Sequence, residues 1–531
     1  MADTVEQYGV HEWTVQGSDD GDVFGRSITV SVTHESGARL DIPAFYDGEG
    51  IRRARFSPSI VGRWSPVLLG DASEIGGVEL EPLECVATSD PDAHGRLVVD
   101  PDNPHRLTRA DGTPAQPLGF EWNWITAYHQ EHAGDRPDHP NPSFDRALEL
   151  IQSAGFDYVV GNLYADYYHK TPVTEETEPY LYQHPRLYPF GGSNDAPDHS
   201  VLNVDFFRDL DGAIEKLNRR HITLHLMIQV QNKKVNWPEK ESEADDRFWR
   251  YVVARYQAYP NIVWDLSKES YNLLKHTGSH DYALSRVKLI READAHGNLI
   301  TAHDSERESW GRATRLDDAC DFITDQVKFS GTVDGWERGS ATRLNREAIR
   351  RWRNVEMPYL NVEYGYEEGD PPHVAPIPKM TVSGEAMLMW TWSLLAGGAY
   401  ANYYYCNTSW DLCRFDRTPE SWERFRYLRD FVDSIDLHTM TPDNDYVSEG
   451  MCSSCDGRAF FVYLPDGGDT RVDLSQCGED EMVATWMDTH TGEQVDVPVE
   501  ERGFWKPVGN PLSGENPCVL YLRVLGTVKD L

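Results

Sequence analysis

The apolar and polar positions of this chain fall into three stretches of different period. Up to about residue 95 they alternate in twos. Residues 27–33, 40–46, 52–56 and 61–67 each read as a short strand, separated by turn residues such as Asp47-Gly-Glu-Gly50 and Ser57-Pro58. Short alternating strands at that spacing predict a β-sandwich over residues 1–95. A hinge and hairpin follow at 93–99 and Asp111-Gly112. From 116 onward apolar runs alternate with segments whose apolar residues recur at three and four positions, the period of an amphipathic helix. The strand candidates are 117–121, 158–162, 222–229, 261–264, 299–303, 321–326, 359–363 and 400–405. The helices between them are predicted at 144–154, 206–217, 248–256, around 284–290, 345–352 and 383–395, with a last one from Thr418-Pro419 that buries Phe425, Leu428, Val432 and Ile435. After about 440 the helical period is lost. Residues 458–464, 470–474, 482–487 and 518–524 read as strands, a second small β-sandwich over 441–531.

Eight strand–helix units predict an α/β fold, a (β/α)8 TIM barrel over residues 96–440 flanked by an N-terminal and a C-terminal β-sandwich. A doubly wound sheet is the alternative. Acids at successive strand ends favour the barrel, whose chemistry sits where its strands end.

The composition narrows the partners. Net charge is −37, and the 50 bases comprise 12 Lys and 38 Arg. An acidic, lysine-poor surface resembles that of halophilic archaeal proteins, where salt screens self-repulsion. It argues against nucleic acid or an anionic membrane as partner. The 16 Trp and 26 Tyr serve large cores or the stacking of sugar faces. Cys452 and Cys455 form the only close cysteine pair; with Cys477 and Cys518 they could make a zinc site, but a second Cys-x-x-Cys is missing. The N-terminus has neither the basic nor the apolar region of a leader, and no run approaches a membrane span. A soluble, cytoplasmic protein is expected, secreted only if a leader was removed. No oligomeric state is implied.

Read in order, the strand ends carry Glu121, Trp122 and Trp124; Asn162, Tyr164 and Asp166; Gln229 and Gln231; Glu269; His303, Asp304 and Glu306; Asp325 and Gln326; Glu363 with Tyr366; and Tyr404, Tyr405, Asn407 and Trp410. Amides and carboxylates suit sugar hydroxyls, aromatic rings suit sugar faces, and two acids suit glycoside cleavage. Glu269 and Glu363, ending the fourth and seventh strands, are the expected catalytic pair. Glu363 would attack, held ionised by Tyr366 or a tyrosine of 403–405. Glu269 would be the acid/base kept protonated by burial, which Lys268 beside it opposes. Asp265 is the rival of Glu269. The remaining strand-end residues are expected to bind substrate, the cluster at 303–306 by hydrogen bonds rather than through a metal. His225 reads as a core histidine. No phosphate loop or GxSxG elbow appears, and no cofactor is expected.

Several motifs resemble the apiosidase-like glycoside hydrolases. Tyr46-Asp-Gly-Glu-Gly50 with Arg55-Phe-Ser-Pro58 and Gly62-Arg-Trp64 resembles the small β domain that precedes many bacterial glycosidase barrels. Asp111-Gly-Thr-Pro-Ala-Gln-Pro-Leu-Gly119 resembles that family's barrel entry. Arg255-Tyr-Gln-Ala-Tyr-Pro-Asn-Ile-Val-Trp264 and Asn361-Val-Glu-Tyr-Gly-Tyr366 resemble its fourth and seventh strands. Residues 462–468 and 484–493 resemble its C-terminal β domain, named for collagen binding. The resemblance implies a retaining barrel of the large two-carboxylate clan, with the acid/base on Glu269 and the nucleophile on Glu363. The family often has Asp, between Gly and Arg, where Glu269 stands, and the clan usually has Asn where Lys268 stands. Hydrolysis of a plant- or algal-type glycan is therefore expected. The alternatives are a carbohydrate-binding protein on a retired barrel and a transglycosidase using the same residues.

Overall fold

The computed structural model describes residues 3–70, 79–166, 171, 173–182, 184–277, 280–305, 319–329, 331, 335–369, 381–409, 411–478, 481–499, 506–508, 510–512, 514 and 516–525. At its centre eight parallel strand runs form a nearly closed barrel. In order they are Leu118–Glu121, Tyr158–Asn162, Thr223–Val230, Ile262–Lys268, a fifth in two pieces (Ile300–Thr301 and Asp304–Ser305), Ile323–Gln326, Tyr359–Asn361 and Tyr400–Tyr403. The first pairs with both the second and the eighth, which closes the ring. The fifth supplies its first piece to the fourth strand and its second piece to the sixth. The doubly wound alternative is thereby excluded, since an open sheet has two free edges.

The barrel interior is packed by Tyr158, Val160, Met227, Val263, Leu360, Val362 and Tyr400. At its N-terminal end the strands Leu97–Val99, Leu107–Arg109 and Pro114–Ala115 form a small antiparallel sheet. Leu97, Leu107 and Ala115 join the same apolar cluster and plug that end. His225 lies inside the barrel as expected of a core histidine. Its ring bridges the Tyr158 hydroxyl at 2.8 Å and Asp265 Oδ2 at 2.7 Å.

Some helices run longer than their apolar periods alone predicted, whereas Phe144–Ser153 and Gly384–Ala396 match theirs to within a residue. Glu243–Tyr256 starts five residues before Phe248 because Ser242 caps it, its side chain accepting from the Asp245 amide at 3.2 Å. Ser383 caps Gly384–Ala396 in the same way. That helix has its whole run from Ala386 to Ala396 buried. A helix apolar on all sides needs cover on all sides. The barrel covers one, helix Trp336–Asn354 another, and Trp392 meets the rings of Phe461 and Tyr463 in the C-terminal sheet, each at 6.0 Å between centroids.

Before the barrel, a five-stranded and a three-stranded sheet share a core of Trp13, Val30, Val32, Ile42, Ala54, Phe56, Trp64 and Leu83. They are tied to the barrel by a buried ionic lattice. Arg55 donates to both Asp211 oxygens at 2.8 Å, and Arg255 donates to Asp211 and, at 2.9 Å, to Asp47. After the barrel, six antiparallel strands from Thr441–Pro442 to Cys518–Val524 form one sheet with two apolar faces. Cys452 and Cys455, three apart on the strand Met451–Cys455, fall on opposite faces: Cys452 in the small C-terminal core, Cys455 against the main one. The four-thiolate arrangement is thus not built, and among the described residues no group of three or more metal-type side chains gathers.

Candidate active site

The fourth strand runs past the predicted 264 to Lys268, so Glu269 is the first residue beyond its end. Its φ of 51° is left-handed, where a side chain is costly. The turn reverses the chain into helix Ser270–Thr277. That helix presents Tyr271 and Asn272 back to the carboxylate. Glu269 Oε2 accepts from Asn232 Nδ2 at 2.7 Å, Tyr271 OH at 2.8 Å and Asn272 Nδ2 at 3.0 Å. Three donors occupy one oxygen. Oε1 faces the barrel mouth, 3.4 Å from Gln326 Nε2.

Glu363 follows the seventh strand and is 3% exposed. Lys328 Nζ and the Tyr366 hydroxyl both donate to its Oε1, and Gln326 Nε2 donates to Oε2 at 2.8 Å. Lys268 Nζ lies 3.8 Å from the same Oε2. Burial alone would raise the carboxyl's pKa. The two lysines, with the hydrogen bonds of Lys328 and Tyr366, override it and hold Glu363 at about 2. It is a carboxylate at any working pH.

Gln326 joins the two acids. Its Nε2 is 2.8 Å from Glu363 Oε2 and 3.4 Å from Glu269 Oε1, so those oxygens lie no further apart than the two lengths together, about 6.2 Å. The same nitrogen donates to His303 Nε2 at 2.8 Å. Burial, with Lys268 nearby, pushes the His303 pKa well below its ordinary value, so the ring is neutral and can accept.

Lys268 faces away from its sequence neighbour. Its ammonium donates to Glu121 Oε1 at 3.1 Å and to Tyr404 OH at 2.9 Å, beneath Glu363. Burial would strip its proton, but Glu121, Glu363 and Glu269 hold it charged. The lysine expected to act on the acid beside it still attracts Glu269, but its ammonium is also placed under the other acid, Glu363. Glu121 is fully buried, held also by Asn402 at 2.9 Å and Tyr404 at 2.8 Å. It is floor to the site. Asp265, the rival acid, is sealed inside the barrel by His225 and by the amides of Ser267 and His303 at 3.0 and 3.1 Å.

Gln326, His303, Tyr366 and Tyr404 thus surround the two acids. Asn162 is linked to Tyr404 through Asn123: it donates to the Asn123 carbonyl at 3.1 Å, and the Asn123 side-chain amide donates to the Tyr404 hydroxyl at 3.3 Å. Others of the expected substrate-binding set are committed elsewhere. Trp122 is fully buried against Phe144, Tyr128 and Phe415. Trp124 is 1% exposed, its indole N–H given to the Tyr182 carbonyl. Tyr164 packs on Tyr188 and Phe206 and donates to Asp166 at 3.0 Å; Asp166 also pairs with His184 at 2.9 Å. Asn407 is buried and donates to Tyr405 at 3.2 Å. Gln229 points out of the barrel, to Asp245 and Tyr282 of the surrounding helices. Each of these stands at a strand end, but aromatic and amide side chains also make cores, and strand-end position does not fix direction. The side chain of Asp304, and all of Glu306 and Trp410, lie outside the described residues.

Lys328, Asn232, Lys233, Tyr271 and Asn272 were not expected. Lys328 stands two residues after Gln326, the same side of an extended run, a signal that could have found it. The loop residues Asn232 and Lys233 carry no such period.

Residues 103–431 match the family described as Apiosidase-like, catalytic domain, and residues 4–65 match the Domain of unknown function (DUF5060). No curated protein matches the sequence. Among solved structures, the chain is similar to a protein of Bacteroides vulgatus ATCC 8482 provisionally described as a glycoside hydrolase, with 19% identity and a TM-score of 0.74 over 98% of this chain and 100% of that one. A glycoside hydrolase family 5 structure from the same strain gives 15% identity and a TM-score of 0.60 over 82% of this chain and 95% of that one. At these identities the likeness is one of fold.

Proposed function

Because the chain belongs to the apiosidase-like catalytic domain family and is a glycosidase, we propose that it hydrolyses O-glycosidic bonds of a plant- or algal-type oligo- or polysaccharide with retention. Glu363 is the nucleophile and Glu269 the acid/base. A Glu363 oxygen attacks the anomeric carbon as the glycosidic C–O bond breaks. The proton on Glu269 Oε1 passes to the leaving oxygen. Water, giving its proton back to Glu269, then releases the sugar from Glu363. The donors on Glu269 Oε2 leave Oε1 as the oxygen that carries the proton, and Oε1 faces the mouth. Gln326, His303, Tyr366, Tyr404 and Asn162 bind the sugar. The barrel works between two β-sandwich domains, residues 1–95 and 441–531, and the net charge of −37 suits a high-salt setting.

The observation that carries this reading is the Gln326 bridge. It keeps one facing pair of carboxyl oxygens within about 6.2 Å, which supports the roughly 5–5.5 Å separation of retention over the roughly 6.5–9.5 Å of inversion. One observation favours the non-catalytic alternative: two ammonium groups on Glu363 blunt its nucleophilicity. A glycan and aryl-glycoside screen decides between them. Glu363→Gln should abolish release and Glu269→Gln should slow it, with the first-released anomer matching the substrate. Equal release by wild type and Glu363→Gln rejects the nucleophile, and an inverted anomer rejects retention.

A further inference from the structure

Lys233 has no part in the reaction as written, yet it is a cation only 7% exposed beside the two acids. Its ammonium donates to Asn232 Oδ1 at 2.9 Å and stands 5.8 Å from the centre of the Trp124 ring. Asn232 in turn donates Nδ2 to Glu269 Oε2 at 2.7 Å. A primary amide has nearly the same outline either way round, so its partners decide which end points where. An ammonium offers donors alone and takes the amide oxygen. A carboxylate oxygen accepts and takes the amide nitrogen. The cation therefore sets the amide, and the amide sets one oxygen of the acid.

We propose that Lys233 is a positioning residue for Glu269: through Asn232 it holds Oε2 in its cradle, so that Oε1 alone carries the transferable proton. The proposal rests on the reading of Glu269 as the acid/base. The charged groups that face Lys233 are Lys268, Glu269, Glu363 and Asp411, from the fourth strand and its end, the seventh strand's end and the segment after the eighth. Burial first, then Lys268, brings the Lys233 pKa down to about 7 against the pull of the three acids. Once neutral, the amine can accept a hydrogen bond, and the amide is free to turn. Positioning is then lost as pH rises through neutrality.

The test compares aryl glycosides of one sugar with poor and good leaving groups, phenyl against 2,4-dinitrophenyl. General acid catalysis contributes about a hundredfold or more with a poor leaving group and little with a good one. Lys233→Met should lose at least about tenfold in kcat/KM on the phenyl glycoside and stay within about twofold in kcat/KM on the dinitrophenyl glycoside, because kcat/KM reports the step that needs the acid. Lys233→Arg should keep the phenyl activity and move the basic limb of its pH profile upward, because a guanidinium does not deprotonate. A crystal structure of Lys233→Met should show Glu269 withdrawn from Tyr271 and Asn272. Unchanged phenyl activity, or equal loss on both substrates with Glu269 still in its cradle, overturns the proposal. If the wild type cleaves no glycoside, the reading of the site fails, and the variant's structure decides the positioning role by itself.

Discussion

Lys268 and Glu121 form an ion pair at 3.1 Å in which neither side chain is more than 3% exposed. Removing one member of a buried pair strands the other charge, at a cost of about 3–5 kcal/mol, whereas replacing both with apolar groups of similar size is close to neutral. Lys268→Met should therefore lower stability by about that much in denaturant melts, and Lys268→Met with Glu121→Leu should recover most of it. Activity should not recover, because the double variant still lacks the cation under Glu363.

Glu363 is held at about 2, below its ordinary 4.5. The folded chain keeps this carboxylate ionised where the unfolded chain protonates it. Its contribution to stability is full above about 4.5 and is lost as pH falls from there toward 2. Lys328→Met removes the closest cation and should bring the acid limb of kcat/KM up by about one to two units. An acid limb identical to wild type would show that Lys328 does not govern this carboxyl.

Glu367, four residues on, shows the opposite shift. Burial pushes it up to about 7, against hydrogen bonds from Ser421 and Tyr403. Here the folded state binds the proton more tightly than the unfolded chain. Stability is full below about 4.5 and declines as pH rises to about 7, by at most roughly 3 kcal/mol. Glu367→Gln keeps a donor and an acceptor without the charge. Its melting temperature should be nearly flat across that window, where the wild type's falls.

Gly365 lies between Glu363 and Tyr366 with its α-carbon against helix Gly384–Ala396. A β-carbon there would overlap the Trp390 ring and stand 3.2 Å from Met387 Sδ. Gly365→Ala should cost about 1–3 kcal/mol of stability. It should also lower kcat, because the strain is relieved through the segment that carries Glu363 and Tyr366.

The barrel was legible because eight apolar runs alternate with helical periods, and each run is bounded by turn residues that fix its end to within a few positions. The same logic put Glu269, Glu363, Gln326, His303, Tyr366 and Tyr404 at one mouth. It failed where direction, not position, mattered. Gln229 turns outward, and Lys268 and Asp265, three apart on one strand, both point inward. Asp265 takes the Ser267 amide as it does so, which breaks the two-residue alternation that a sequence reading assumes. The aromatic residues Trp122 and Tyr164 went to the core because composition cannot tell a ring that stacks on a ring from one that stacks on a sugar. The Asn232–Lys233 loop was invisible for want of any period.

The wholly buried helix Gly384–Ala396 has a consequence for dissecting the molecule. A chain ended after residue 440 would keep every barrel strand and both acids, yet would uncover Trp392 where Phe461 and Tyr463 now lie. Such a fragment should precipitate rather than report a minimal enzyme. The seam at 440 is a change of period and not a place to cut, because the C-terminal sheet roofs a helix of the barrel.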